Sequence, residues 1–291
     1  MKRNRVLLVY KKTSYQKHAL DHKERPFLEL MRKKTVAARY FRETHEEHIR
    51  VLEEIKGALK KLKLPYDVRL RYRLQRPLSH YALVITIGGD GTFLETARHA
   101  KKEALLLGIN STPKVSVGFF CHAGPSDFVP KIKKALAGKA RIQKLHRLQV
   151  RVNGKLIRAT VLNDILFTNY NPADTSRYLL SVRGQSEEQK SSGIWFSTAA
   201  GSTAAIHSAG SAPIPVGSPK FLYRVREPYC QKRMKYKLCH GTLSPTEKIR
   251  FINYTNHMAL YIDGPHVVIP LKRGDQITVE RSSQPVRVVW T

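Results

Sequence analysis

Acidic side chains are scarce in this chain. Against 52 Lys and Arg it carries 22 Asp and Glu, so with neutral histidines its 291 residues hold a formal charge of +30. A field of that sign raises the local concentration of anions. Nucleic acid, an acidic surface or small polyphosphates would all answer to it. The basic residues are spread along the chain rather than gathered in a tail, so charge alone does not choose among them. Cysteine is scarcer still. Cys121, Cys230 and Cys239 form no C-x-x-C pair, which excludes a disulfide framework and fits a reducing compartment. Long apolar runs are missing as well. The N-terminal MKRNRVLLVYKKT holds an apolar stretch of only five residues. A secretory leader needs roughly 7–15, and a membrane span about 20. A first strand at Arg5 or Val6 leaves little room for a transit peptide. The expectation is a cytoplasmic protein with no membrane partner.

What is present is enough to fold. A hydrophobic share of 42% supports a packed core, and the length suggests about two domains. Residues 6–10 (VLLVY) and 82–87 (ALVITI) are short continuous apolar runs of the kind buried on both faces of a parallel sheet. Residues 105–109 (LLLGI) are a third, and 67–72 (DVRLRY) alternate like a strand. Between Glu43 and Leu62, residues His48/Ile49, Leu52, Ile55, Leu59 and Leu62 recur at helical spacing, and Lys60, Lys61 and Lys63 suit the helix C-terminus. A further helix is expected from Thr92 to Lys101. Strands alternating with helices predict a Rossmann-like parallel α/β domain over residues 1–140. Residues 11–40 are strongly charged and show no clear element.

The pattern changes near residue 140. Short alternating segments punctuated by Asn153-Gly154, Asp263-Gly264 and Arg273-Gly274 predict a β-rich, sandwich-like domain over residues 141–291. The basic, proline-punctuated stretch 217–248 has no evident assignment. No internal repeat or low-complexity tract occurs.

The densest chemical signal is IGGDGTFL, residues 87–94. Gly88 and Gly89 remove side chains at the mouth of a buried strand, so a ligand can approach the backbone. Thr92 with Glu95 has the spacing of a capping box. The first amides of the helix that follows would face outward, a ready phosphate site. Asp90 beside phosphate is electrostatically odd unless it accepts a proton or helps hold Mg²⁺ on a nucleotide. A plain strand-to-helix turn, with the aspartate bonding nearby amides, fits the same residues. The dinucleotide fingerprint G-x-G-x-x-G is absent, and no G-K-[ST] follows to make a P-loop.

IGGDGTFL resembles the GGDGT motif of the superfamily that contains NAD kinases and diacylglycerol and sphingosine kinases. Three later stretches resemble NAD kinases in particular. LLLGINSTPKVSVGFF (105–120) resembles the segment in which a strand ends in G-[IV]-N and a G-F pair follows. VLNDILF (161–167) resembles the Asn-Glu segment, with Asp164 for Glu. SSGIWFSTAAGSTAAIHSAGSAPI (191–214) resembles the long DG…TPTGSTAY…SAGGP signature. The closing MALYIDGPHVVIPLKRGDQITVERS is similar to the final β segment. The matches run in family order over roughly residues 80–283. RVLLVYKKTSYQ, KSSG at 190–193 and VREP at 225–228 are most similar to the branch that includes mitochondrial NAD kinases.

The resemblance implies transfer of the γ-phosphoryl of ATP, with Mg²⁺, to the 2′-hydroxyl of the adenosine ribose of NAD. Asp90 would be the general base, and Gly88, Gly89, Gly91 and Thr92 would meet the phosphates. On the NAD side it implies Asn163 and Asp164 at the adenosine, Asp164 accepting from a ribose hydroxyl, and Phe119 near adenine. It adds Asn110, and the stretch Gly201, Ser202, Thr203, Ala204 and Ser208 lining the pocket. Several of these have plainer uses: an Asn-Asp turn, core packing for Phe119, a tight helix start at Gly201. His207 is expected to be packing. Departures are visible too. Ser192 replaces the Asp of DG, Ala205 the Tyr of STAY, and Ala199 the Pro of TPTG. Lys190 is the residue that could meet a pyrophosphate in compensation. The C-terminal tail that returns to the first domain in many members is expected to be short or absent. A homodimer or homotetramer is implied by analogy. Two other readings compete: a lipid kinase of the diacylglycerol type sharing the turn, and a basic nucleic-acid-binding protein without kinase activity. Any nucleic-acid contact is expected to be non-specific and to weaken steeply with salt.

Overall fold

The computed structural model describes residues 5–74, 78–101, 103–230 and 236–290. The chain forms two units, Met1–Gln143 with Val286–Thr291, and Lys144–Pro285.

In the first unit, strands β1 (Val6–Tyr10), β2 (Tyr66–Leu70), β3 (Leu83–Gly88) and β4 (Leu105–Asn110) pair in parallel in the order β2-β1-β3-β4. All residues of β3 and β4 are buried, as are the first four of β1, which is why these runs read as unbroken apolar sequence. Helix α2 (Val36–Lys61) lays Val51, Leu52, Ile55 and Leu59 against Val6, Leu8, Ile85 and Leu107. The periodicity located that buried face but not the helix start, seven residues before Glu43. Thr35 caps the start, its hydroxyl accepting from the amide of Ala38 at 3.2 Å. Val36 is 83% exposed, so the first turns bury little and leave no core pattern to read. Helix α1 (Arg25–Arg32) lies in the charged stretch that showed no element. Helix α3 (Asp90–His99) follows β3, and helix α4 (Phe128–Leu136) adds Phe128 and Ile132 to the core on the α2 side.

Strand β5 (Ile142–Leu145) and the closing strand Val286–Val289 complete this sheet, which among the described residues runs β2-β1-β3-β4, closing strand, β5. The closing strand pairs in parallel with β4, Arg287 opposite Leu105 and Val288 opposite Leu106. This corrects two expectations: the segment returns to the first unit, and it is not part of the β-rich region. Val286, Val288 and Val289 are all buried, and a run with valines on both faces suits a strand covered on both sides.

The second unit stacks two antiparallel sheets of six strands each, counted among the described residues. One contains Ser176–Val182, Lys248–Asn253, Gln276–Arg281 and Leu148–Val152 at its centre. The other contains Phe221–Arg226, Gly193–Thr198, Asp164–Asn169 and Met258–Ile262. They share one apolar core. Phe251 of the first sheet meets Phe167 at 4.7 Å and Phe196 at 5.6 Å of the second, ring centre to ring centre. The Asn153-Gly154 turn has φ of 50° and 76°, the left-handed pair that a tight hairpin needs, and Val152 pairs with Lys155. Strand Gln185–Ser191 (QSEEQKS) carries no apolar alternation. Its inward Gln189 and Ser191 are polar and hydrogen-bond the buried Tyr178 hydroxyl at 3.1 and 2.7 Å. The usable signal was the turn Arg183-Gly184, which also has positive φ at both residues. Of the basic stretch 217–248, Phe221–Arg226 and His240–Leu243 pair as strands, and residues 231–235 lie outside the described residues. Among the described residues no helix is long and apolar enough to cross a membrane.

Phe251→Ala is expected to destabilise the second unit by about 3–5 kcal/mol. Chemical unfolding followed by tryptophan fluorescence would show it as a lowered midpoint, and an unchanged midpoint would put the packing centre elsewhere.

Candidate active site

β1 is followed in sequence by β2 on one side of it, and β3 lies on its other side. Open parallel sheets bind ligands at such a reversal, beyond the carboxyl ends of the strands. Gly88 ends β3 at this edge with φ 148°. A Cβ there would sit 2.7 Å from Thr92 Oγ1, so both backbone and space demand glycine. Gly89 is extended and α3 begins at Asp90. The first amides of a helix have no intrahelical acceptor, and an anion is the natural partner for them.

The capping box expected from Thr92 and Glu95 does not form. The helix starts two residues earlier, so the Thr92 amide is already taken by Gly89 O at 3.0 Å. The Thr92 hydroxyl is buried against Gly88 and finds no hydrogen-bond partner among the described residues. Glu95 instead pairs with Arg98 at 2.8 Å and His99 at 3.4 Å, which, led by the His99 bond, holds its carboxyl below the usual range. Of the four phosphate-binding candidates around the aspartate, Gly91 is exposed and Gly89 half-buried, a Cβ on it falling 2.8 Å from Ser116 Oγ, while Gly88 and Thr92 are buried against each other.

Asp90 bridges two segments. Its Oδ1 accepts the Phe120 amide at 2.8 Å and its Oδ2 the Phe119 amide at 3.0 Å. The loop after β4 is thereby fixed to the start of α3. Asn110 spends both ends of its side-chain amide inside that loop, donating to Ser116 O at 2.9 Å and accepting from Thr112 N at 3.1 Å. Phe119 is half-buried, edge-on to Phe120 and to Trp290 of the closing segment. Trp290 also packs on His122, whose pKa is pushed down to about 4 by burial and then by Lys131. Trp290, Lys11 and Arg71 were missed by the sequence reasoning. The side chain of Lys11 lies beside Gly88, and that of Arg71 beside Gly91. For Lys11 a signal existed, since it directly follows a buried strand ending at the ligand edge.

The second unit gathers Asn163, Asp164, Gly201 and Asp263. The Asp263 carboxylate accepts the amides of Leu162 at 3.0 Å, Asn163 at 2.7 Å and Asp164 at 3.2 Å. Asn163 Nδ2 donates to Asp164 Oδ2 at 3.0 Å. Thr198 ties this turn to the next segment, its hydroxyl donating to Leu162 O at 2.6 Å and accepting from Gly201 N at 3.0 Å. A Cβ on Gly201 would lie 2.1 Å from Asn163 O, so the two family-like stretches touch only because Gly201 has no side chain. Asp164 is 7% exposed. Burial first, then the Asp263 charge, raises its pKa to about 7.

The rest of the small-residue stretch divides. Ser202 is fully buried, its hydroxyl donating to Ala199 O at 2.7 Å and accepting from Ile214 N at 3.1 Å, so it props a loop. Thr203 and Ser208 are exposed and Ala204 half-buried; Ala205 opens the short helix α5 (Ala205–Ser208). Lys190 stands in the other sheet from Asp164, its ammonium 4.5 Å above the centre of the Tyr229 ring. Ser192 accepts the Thr168 hydroxyl at its carbonyl. Among the described residues no group of three or more His, Cys, Asp or Glu could hold a metal ion.

No protein-family model matches the chain. It is 30% identical over 268 residues to NADH kinase of Arabidopsis thaliana, covering 84% of this chain and 83% of that protein. It is 31% identical over 208 residues to NAD kinase of Methanospirillum hungatei, covering 70% and 72%. In three dimensions it is similar to an NAD kinase from Archaeoglobus fulgidus crystallised in complex with ATP. That match has a TM-score of 0.68 at 23% identity, over 98% of this chain and 93% of the other. At that identity the likeness speaks for the fold.

Asp164 carries a measurable signature. Its folded pKa of about 7 lies above its ordinary 3.8, so its contribution to stability is complete below that lower value and is lost as pH rises through 7. Asp164→Asn removes the buried charge. It is expected to raise stability at pH 8 by on the order of 2–4 kcal/mol. Thermal unfolding from pH 4 to pH 8 should show a gap between the two proteins that closes toward acid. A gap independent of pH would contradict the assignment.

Proposed function

This chain belongs to the NAD kinase family, and from that premise we infer how its residues divide the work of phosphorylating NAD. The ribose 2′-oxygen of NAD attacks the γ-phosphorus of ATP. The bond from that phosphorus to the bridging oxygen breaks, its electron pair stays with ADP, and the hydroxyl proton passes to Asp90. The products are NADP and ADP. An alcohol is a far weaker acid than an ordinary aspartic acid at about 3.9, so the proton moves late, once P–O bonding is advanced. The observation that carries this reading is the glycine turn at the strand reversal, with the Asp90 carboxylate oriented by two amides beside the open start of α3.

Gly88, Gly89 and Gly91 allow phosphate oxygens to reach the backbone there. In the second unit, Asp164 has one oxygen bonded by Asn163 and lone pairs remaining for a ribose diol. Its carboxylate is shorter than the family's Glu. The Asp263 bonds and the bare Gly201 let the backbone at Asn163 and Asp164 be held rigidly. Mg²⁺ fits as an ion delivered with ATP: the described residues form no carboxylate or imidazole cage, and phosphates and water would supply the oxygen ligands this cation prefers. Bound in that way it would neutralise phosphate charge during transfer. Thr203 and Ala204 line the NAD side, with Phe119 toward adenine. Assembly as a homodimer or homotetramer belongs to the same proposal, and light scattering on the purified protein decides it.

Purified protein with ATP, Mg²⁺ and NAD is expected to form NADP, followed with an NADP-specific dehydrogenase. No NADP above background would overturn the reading. Asp90→Asn is expected to lower kcat by about 10²–10⁴-fold while nucleotide still binds. Turnover near the wild-type rate would remove Asp90 from the proton-accepting role.

A further inference from the structure

Two neighbouring lysines follow β1 and meet different fates. Lys12 forms an ion pair with Asp21 at 2.5 Å. Lys11 has no carboxylate partner among the described residues, although its side chain is the more enclosed of the two. Its stem lies along the glycine turn: a Cβ on Gly88 would stand 3.6 Å from Lys11 Cδ. Arg71 flanks the other side of the turn, with Nη1 3.5 Å from where a Cβ on Gly91 would be. Arg71 makes no ion pair among the described residues either. Burial, followed by the charge of Arg71, lowers the Lys11 pKa. Enclosing a cation without a counter-charge is costly, and setting a second cation near it adds to the cost.

The protein nevertheless fixes Lys11 in place through its backbone. His48 on α2 is fully buried. Its Nε2 lies 3.0 Å from Lys11 O, and its Nδ1 lies 2.8 Å from Ser111 Oγ. A carbonyl can only accept, so Nε2 carries the proton and Nδ1 accepts from the serine hydroxyl. Burial pushes the His48 pKa down to about 4, which keeps the ring neutral and this arrangement intact near pH 7. The Ser111 amide reaches Gly88 O at 3.4 Å. One helix thus braces the carboxyl ends of β1, β3 and β4 together at the reversal point. Two cations bracketing a glycine turn, neither in an ion pair among the described residues and one with its backbone held by His48, form a cradle suited to an anion with several oxygens.

We propose that Lys11 is a catalytic residue, its ammonium contacting the oxygen that bridges the β- and γ-phosphates of the donor nucleotide, and that His48 is the positioning residue that holds it there. The assignment rests on the kinase reading above. As the bond from γ-phosphorus to that oxygen breaks, negative charge gathers on the departing ADP, and a half-buried cation already placed beside the turn stabilises it with little rearrangement. Arg71 adds charge from the Gly91 side.

Lys11→Met and Lys11→Arg are compared with the wild type by varying ATP and NAD separately, with a non-hydrolysable ATP analogue titrated calorimetrically as a second readout. Lys11→Met is expected to lose about 100-fold or more in kcat/KM for ATP with KM for NAD unchanged. Its analogue binding should weaken. Lys11→Arg should recover about tenfold by keeping the charge at altered geometry. A Lys11→Met enzyme equal to wild type, or one impaired only in KM for NAD, would overturn the proposal. A wild type that binds the analogue but makes no NADP would instead sink the kinase reading, and the analogue arm would still decide whether Lys11 meets phosphate. For His48, a double-mutant cycle separates positioning from general structural support. His48→Gln should impair the wild-type background and add nothing in Lys11→Met; equal losses in both backgrounds would assign it a structural role only. If His48→Gln fails to fold, Ser111→Ala tests the same network in the same cycle.

Discussion

The carboxylate of Asp90 receives two backbone amides from a loop some thirty residues away in sequence. That pair of bonds ties the start of α3 to the segment after β4. The glycine turn, the open helix amides and the Phe119 ring depend on it for their mutual geometry. A charged acceptor with two amide donors is worth more than an ordinary hydrogen bond. It also fixes orientation, which a single contact would not. The second unit repeats the device. Asp263 gathers three consecutive backbone amides, Leu162 to Asp164, and so sets the direction of the Asp164 carboxylate, which accepts from the side chain of Asn163. In each unit one acid is committed to shaping backbone. Asp90 in the first unit has lone pairs to spare for chemistry, whereas in the second unit shape and contact are split between Asp263 and Asp164.

Much of the first unit was legible because parallel strands covered on both faces leave unbroken apolar runs, as at residues 82–87 and 105–109. The buried face of α2 was legible from its helical spacing. Its first turns, whose residues bury little, were not. Glycine and aspartate at residues 88–91 were visible because few other side chains tolerate that turn. What could not be read was any role assigned by tertiary partners. Thr92 has capping spacing, yet the helix begins before it. Ser202 lies in a family-like stretch, yet its hydroxyl serves Ala199 and Ile214. Lys11 directly follows a buried strand, but that it and not Lys12 is left without a carboxylate among the described residues is decided only by the fold. The polar strand 185–191 escaped for a related reason: its inward residues face a buried hydroxyl instead of an apolar core.

The excess of basic residues takes on a more specific meaning once the pairs are known. Many cations sit in surface pairs such as Arg25 with Glu29 and Arg50 with Glu54, where they add little to stability. Lys11 and Arg71 at the glycine turn are in no such pair among the described residues. A field of that sign spread over the whole molecule raises the concentration of anions around it, and on the proposal made for Lys11 the cations at the strand reversal are where a polyphosphate would stop.

Among the described residues, the strand at residues 286–289 lies between β4 and the edge strand β5, in a sheet otherwise made by the first half of the chain. A ribosome delivers β1 to β4 long before it delivers that strand. During synthesis the flank of β4 therefore stays open, and the long β-rich segment must emerge before the sheet can close. A nascent chain with an unpaired, fully apolar strand edge is a template for wrong partners. This late-made strand thus acts as a latch on the part of the fold that precedes it. Completing the parallel sheet becomes a late event in the life of each molecule rather than an early one.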